Sequence, residues 1–463
     1  MWSTIAVSTL CVLSVACAED VAIYGSISTR GEPEAIALGE GSLGSVSVGV
    51  LGEHAVVQWI RSRPDGDDSP TALWLDADLA AVGEPIEMGV GSPYASRFVE
   101  REGALVAQVW ASPPGEPWRL GDAAYWRLAP PPAEPSRLAL TLDVVEEEDP
   151  FRVLHIGAAR FGVGPEGKLP IAASGFLLSA VGATPSSCGR DGFRQIHLVD
   201  EVGVGTPLSP GLCSAAVPET GNAWLFDVDD ETVGMLYRQH PVNDGRIRFL
   251  RLRADGTPES EPVVVGLDLG DTFSTVDGGF QPRAVATATS VLFTERYGAA
   301  NTCHVLRIMA LDGTRVRDAP WQLPCRSYDL DDLRSSRRVT ASVELLALEQ
   351  GALLIYAEHS FAGAGTITEA FPWSEAIHAV LIDAEGRQGS DVVTVTDASA
   401  TALDPVPRTA SDGPFARSFV VGADAAGSRA VVAWYDRRPE HPGIYVRELR
   451  VTFRSAAALA DRP

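Results

Sequence analysis

Residues 418–452 read SFVVGADAAGSRAVVAWYDRRPEHPGIYVRELRVT, a pattern that predicts three successive strands. Residues 419–422 are short and apolar. A Gly-Ser-Arg turn leads into the apolar run AVVAW at 430–434, and a polar loop over 435–443 leads into IYVRELRV at 444–451. A run that is apolar on both faces needs a neighbour on each side, whereas an alternating run leaves one face to water.

The same word recurs along the chain. The middle strand has copies at 55–59, 105–110, 232–237, 291–294, 353–356 and 430–434, with a diluted copy at 171–178. After a polar loop each is followed by a more alternating strand, at 72–76, 124–128, 195–199, 247–253, 304–311, 377–383 and 444–451. Turn words such as ALDGTRVRDAP and IDAEGRQGSD come next, then a short outer strand, as at 261–266, 321–323 and 391–396. A shorter apolar strand precedes the middle one, as at 45–49, 153–157, 223–227 and 338–343. Four strands per unit and a period of roughly 50–75 residues describe a β-propeller blade. The expected fold is therefore all-β, a single β-propeller of seven four-stranded blades. Six or eight blades, or two separate β-sandwiches divided near 130–135 or 146–150, are the rivals.

The seventh unit lacks an outer strand. Residues 34–38, EAIAL, have the outer-strand pattern and stand ahead of the first unit. The expectation is that this N-terminal strand pairs with the last blade and closes the ring. The organisation that follows is a signal peptide over 1–18, a linker over 19–33, the propeller over 34–453 and a tail over 454–463.

Net charge of −24 and a pI near 4.7 exclude a nucleic-acid partner and electrostatic docking on anionic lipid. The apolar run at 4–16 is too short to span a bilayer and reads as a signal-peptide core. Two processing sites compete: cleavage after Ala18, or a lipobox-like segment ending at Cys17, which would carry the lipid. Its leucine, Leu13, stands four residues before Cys17 where the lipoprotein pattern has three. Any membrane attachment would be through that N-terminal anchor. Export also suits the cysteines. Cys188 and Cys213 flank one third-to-outer strand pair, and Cys303 and Cys325 occupy the same two places two units later. Two disulfides, each closing a loop of about 25 residues and contributing about 3 kcal/mol, are expected.

In propellers the loop after the second strand opens on the face where ligands usually bind. The residues there are Arg61, Arg63, Arg238, His240, Glu295, Arg296, Glu358, His359, Asp436, Arg437 and Arg438. Such an arginine-rich set suits a carboxylate, a sulfate or a glycan; alternatively, the charges solvate strand ends and pair with one another. No enzyme signature is present. There is no G-x-S-x-G elbow. Residues 275–279, TVDGG, faintly resemble the Asp-box turn of sialidase-type propellers, but the closing aromatic is misplaced and no second copy occurs. The acidic runs at 227–231 and 329–332 lack the spacing of a calcium loop. No catalytic residue, cofactor or metal ligand is assigned.

Residues 430–438 (AVVAWYDRR), 444–450 and the turn words resemble the secreted or lipid-anchored propeller-repeat proteins of bacteria such as the myxobacteria. The resemblance implies a binding scaffold and no reaction. The expected function is an exported, monomeric, non-catalytic propeller that binds a protein partner or an envelope or extracellular glycan through its loop face. The alternative is a sialidase-like glycoside hydrolase or a polysaccharide lyase of the same fold.

Overall fold

The computed structural model describes residues 25–38, 46–62, 68–101, 103–112, 124–138, 141–142, 152–156, 176–182, 193–199, 204–207, 212–213, 223–229, 232–238, 246–253, 258–267, 283–297, 303–324, 337–348, 351–361, 372–396, 404–405, 419–436 and 443–453. Among them there is no helix. Every sheet is built around a run of three antiparallel strands and adds at least a fourth.

The first sheet runs Val46–Leu51, His54–Ser62, Asp68–Leu75, Ala81–Glu87, in chain order from one edge to the other. The second runs Val90–Arg101, Ala104–Ser112, Ala124–Leu128, Ser136–Leu138. The third has Arg152–Ile156, Phe176–Gly182, Phe193–Val199 and Val204–Pro207, with Thr141–Leu142 outside them. The fourth is Ala223–Asp229, Thr232–Arg238, Arg246–Arg253, Val263–Leu267. The fifth is Arg283–Ala286, Ser290–Tyr297, Cys303–Ala310, Arg317–Asp318. The sixth is Arg337–Leu348, Gly351–Phe361, Pro372–Ile382, Val393–Thr394, and Asp404–Pro405 also pairs with its third strand. The seventh is Phe419–Ala426, Arg429–Asp436, Gly443–Phe453, and its fourth strand is Gly25–Leu38.

Residues 34–38 thus lie where the incomplete seventh unit needs a strand: Glu34 pairs with Val446 and Leu38 with Gly443. The strand begins at Gly25, however, so the segment read as a linker over 19–33 already belongs to the sheet from that residue on. Gly25–Arg30 pairs in register with Glu448–Phe453 and buries Ile27. Three residues, Gly31, Glu32 and Pro33, then bulge opposite Arg447. In the third sheet the described second strand is Phe176–Gly182, which shares 176–178 with the expected 171–178; residues 171–175 lie outside the described residues.

The hairpins on one face share a chemistry. Asp76 Oδ1 accepts the N–H groups of Asp78 and Ala80, both at 2.9 Å, and Asp383 Oδ1 accepts those of Glu385 and Arg387 at 2.9 and 2.7 Å. In both turns the fourth residue is left-handed: Gly386 at φ 77°, but Leu79 at φ 64°. A leucine there costs about 1 kcal/mol relative to glycine. Leu79 offsets that by burying its side chain between the first and seventh sheets. Outer strands are short because side chains replace them. Gln322 accepts from the Leu306 N–H at 3.2 Å and donates to its carbonyl at 3.0 Å, which is why 321–323 needs no strand of its own.

The core lies between sheets. Apolar clusters fill the seams between the first and second, fourth and fifth, fifth and sixth, sixth and seventh, and seventh and first sheets. Each fully buried Val, Leu or Ile contributes roughly 1.5–3 kcal/mol, so these seams dominate the favourable side of folding. Polar ties near the first strands reinforce them. Trp224 Nε1 donates to the Ala284 carbonyl at 3.1 Å. Arg283 lies 4.5 Å over the Trp224 ring and makes two 2.8 Å bonds to Glu344. Asp424 accepts the Val50 N–H at 2.8 Å, across the seam between seventh and first sheets.

Candidate functional site

The candidate residues sit at the ends of second strands, and strand alternation assigns those with described side chains to seams. Phe293 packs between the fourth and fifth sheets, so Glu295 is placed on that face. Tyr356 packs between the fifth and sixth sheets, which assigns Glu358 there. Trp434 packs between the sixth and seventh, which assigns Asp436 there. Trp59 packs against the seventh sheet and places Arg61 on that side.

Three consecutive seams therefore each receive one acidic residue. The acids are deeply buried: Glu295 is 2% exposed, Glu358 4% and Asp436 2%. Glu295 forms an ion pair with Arg307 on its own sheet, and Arg307 Nη1 lies 3.5 Å from Asp318. Arg61 is half-exposed, with Nη1 4.0 Å from Glu87. Arg238, Arg296 and His359 lie near the ends of their strands, but their side chains, like the whole of Arg63, His240, Arg437, Arg438, Cys17, Cys188 and Cys325, lie outside the described residues, so neither expected disulfide can be traced. Cys303 begins the third strand of the fifth sheet. Cys213 lies in a two-residue strand, Leu212–Cys213, beside Phe193 at the start of the third sheet's third strand.

A second charged cluster was not foreseen. Glu448, 1% exposed, takes the Arg429 guanidinium at 2.8 Å, forms an ion pair with Arg450, and has Arg30 Nη1 at 3.7 Å. Arg30 also reaches Asp78 at 2.6 Å and the Ala77 carbonyl at 3.1 Å on the first sheet. Arg447, beside it, donates twice to the Gly31 carbonyl, at 3.0 and 2.6 Å, and once to Val395 of the sixth sheet at 2.7 Å. A cleft of about 420 Å³ opens there, lined by Arg30, Glu32, Glu34, Asp78, Leu79 and Glu448 among others. The alternation of RELR in 447–450 was the only sequence signal, and it reads equally as a solvated face.

Two turn carboxylates are shifted in opposite directions. Hydrogen bonds from the Thr314 hydroxyl and N–H hold Asp312 below the ordinary aspartate value. Burial pushes Asp383 above it, against the N–H of Arg387. Among the described residues no group of three or more His, Cys, Asp or Glu is arranged to hold a metal ion, and no helix is long and apolar enough to cross a membrane.

No family model matches the chain, and no curated protein matches it. Solved structures that are similar to it include puromycin hydrolase, at 16% identity and a TM-score of 0.45 over 93% of this chain. The chain spans 57% of that protein's length. The β-propeller domain of the Trilobed protease from Pyrococcus furiosus is similar at 9% identity and a TM-score of 0.41, over 91% of this chain and 95% of that one. A thermostable family-43 glycoside hydrolase is similar at 11% identity and a TM-score of 0.32, over 67% and 95%. These are likenesses of fold.

Proposed function

We propose that the seven sheets are the blades of one closed β-propeller, latched by the N-terminal strand, and that the protein is an exported, non-catalytic binding scaffold of the bacterial propeller-repeat kind. Its ligand, a glycan or a protein, is taken on the face where the second strands end. Closure is supported by the packing of Val431 and Ala433 of the seventh sheet against Val57 and Leu73 of the first, and by the Asp424–Val50 bond across that seam. Export is supported by the signal-like segment at 4–16, with Cys17 as lipid acceptor or Ala18 as the cleavage point. Disulfides Cys188–Cys213 and Cys303–Cys325 belong to the same reading.

The observation that carries the non-catalytic reading is the burial of Glu295, Glu358 and Asp436, each within a seam between sheets. A general acid or nucleophile must reach substrate, and a carboxylate 2–4% exposed within a seam is placed to tie sheets together. The purified chain from residue 19 onward is expected to show saturable binding and no turnover across glycoside, polysaccharide and peptide panels. Turnover abolished by Glu358→Gln or Asp436→Asn, with folding intact, would overturn it in favour of the hydrolase.

A further inference from the structure

Arg283 touches the sheets on both sides of its own. It lies in the first strand of the fifth sheet, and that strand is one edge of the sheet. The first strands of the fourth, fifth and sixth sheets lie side by side. Alternation places Arg283 with Val285 on the face toward the sixth sheet, where Glu344 accepts from Nε and Nη2, each at 2.8 Å. The same guanidinium stacks on Trp224 of the fourth sheet, 4.5 Å from the ring centroid. A side chain that leaves one face of a sheet and touches both neighbours has to pass round an edge or over an end. Arg283 pairs with Thr294, and the second strand runs on to Tyr297, so the path is round the edge. The guanidinium therefore sits on the wall that the first strands form.

Its bonding is incomplete on one side only. Nε and Nη2 make the side-on fork, and both go to Glu344. The buried ring of Trp224 covers one face. The end-on fork, the parallel N–H groups of Nη1 and Nη2, has no partner among the described residues, and 18% of the side chain is exposed. An arginine that only ties sheets together is finished differently. Arg447 joins the seventh sheet to the sixth with all three guanidinium nitrogens bonded to carbonyls, Nε and Nη2 to Gly31 and Nη1 to Val395. Arg283 is held from two directions and left open in a third, as a preorganised binding group is.

We propose that the end-on fork of Arg283 is a binding site for the carboxylate of a small organic acid, separate from the loop face and independent of what that face takes. A carboxylate matches two parallel N–H donors in plane and spacing, which a halide or a lone hydroxyl does not. Glu344 cancels the charge of Arg283, and the chain carries −24. A dianion such as sulfate or phosphate is repelled there, whereas a monoanion gains two charge-assisted bonds at less cost. Glu344 and Trp224 already fix the side chain, so binding gives up little rotamer freedom. Sugar acids and amino acids share this chemistry, and the test separates them.

The test uses the chain from residue 19 onward. Calorimetry with galacturonate and N-acetylglycine is set against galactose and N-acetylglycinamide, their neutral counterparts, and against inorganic sulfate. Saturable binding of at least one carboxylate is expected, with none of its neutral counterpart and weaker binding of sulfate. A response to the sugar acid alone, or to the amino acid alone, supports the site and identifies the source. Arg283→Lys keeps the charge without the fork and is expected to weaken binding by about tenfold or more. Arg317→Ala, on the exposed outer strand of the same sheet, leaves it unchanged. Hydrogen exchange of the unaltered protein is expected to slow at 223–229 and 283–286 when the carboxylate is bound, which keeps the test independent of whether Arg283→Lys folds. No binding of either carboxylate, equal binding of sulfate, or binding that changes neither with Arg283→Lys nor in exchange at those strands would overturn the site. Each of those results leaves loop-face binding standing.

Discussion

Glu448 is the residue on which the charge arrangement of this molecule turns. A carboxylate 1% exposed is tolerable only because Arg429 and Arg450 neutralise it at contact distance and Arg30 stands behind them. Removing one partner of a buried ion pair costs more than the pair contributes, since the survivor stays desolvated and uncompensated. Glu448→Gln is therefore expected to destabilise the protein by about 3–5 kcal/mol, read as a lower urea midpoint at unchanged m-value. Replacing Glu448 and Arg429 together by leucine and methionine is expected to recover most of that loss. The turn aspartates make a pH prediction. Asp383 has its folded value raised by burial, so the folded state holds its proton to higher pH than the unfolded chain does. Its contribution is complete below the unfolded value and is lost as pH rises through the folded one, leaving a penalty at pH 7. Asp383→Asn keeps the Oδ1 acceptor for Glu385 and Arg387, and is expected to raise the urea midpoint at pH 7 while leaving it little changed at pH 3. Asp312, held low by Thr314, works in the opposite sense: its contribution is present above the unfolded value and fades as pH falls through the folded one. Thr314→Val is expected to flatten that acid limb.

At the level of elements, the N-terminal strand shows how far sequence reading reaches. EAIAL was legible because four of its five residues are apolar and the last unit lacked a strand. GSISTR was not, because Ile27 is its only large apolar residue, and what holds it is a backbone ladder plus Arg447 on the bulged carbonyl of Gly31. The outer strand expected at 321–323 failed for a related reason: the side-chain amide of Gln322 does the work of a ladder, and no pattern of hydropathy reports that. The candidate residues were legible as a set, but their arrangement was not. The seam that Glu295, Glu358 and Asp436 each enter depends on which face the strand end presents, and that comes from knowing the cluster beneath it, one residue of register reversing every assignment. The strand is also the element most open to test. A chain lacking residues 1–38 exposes the edge of Gly443–Phe453 and is expected to unfold at lower urea and to aggregate. A synthetic peptide of residues 25–38 is expected to restore the midpoint when added in trans. In an Arg447→Ala background the peptide is expected to bind about 10- to 100-fold more weakly, the loss of charge-assisted bonds worth about 1.5–3 kcal/mol.

For the whole molecule, the issue is whether the apolar seams join seven sheets into one body or into two. Two sandwiches would each bury their own faces and leave one boundary with little packed across it. The described seams run continuously from the fourth sheet through the fifth, sixth, seventh and first to the second, and the cluster between seventh and first joins the two ends of the chain. Gly422 shows how close that junction is: a Cβ there would come within 2.5 Å of the Val46 carbonyl and 2.8 Å of Ser47 Cα. No bulkier residue fits without moving the first strand of one sheet away from that of the other, so Gly422→Ala is a probe of the junction at a single site. If the sheets form one ring, small-angle scattering is expected to give a radius of gyration of about 23 Å for 463 residues, with unfolding in one transition. Gly422→Ala then lowers the midpoint of that single transition by about 1–3 kcal/mol without splitting it. A larger radius together with two transitions, only one of them moved by Gly422→Ala, would instead mean two independent sandwiches, because a strain placed between seventh and first sheets can reach every other seam only if the seams close on themselves.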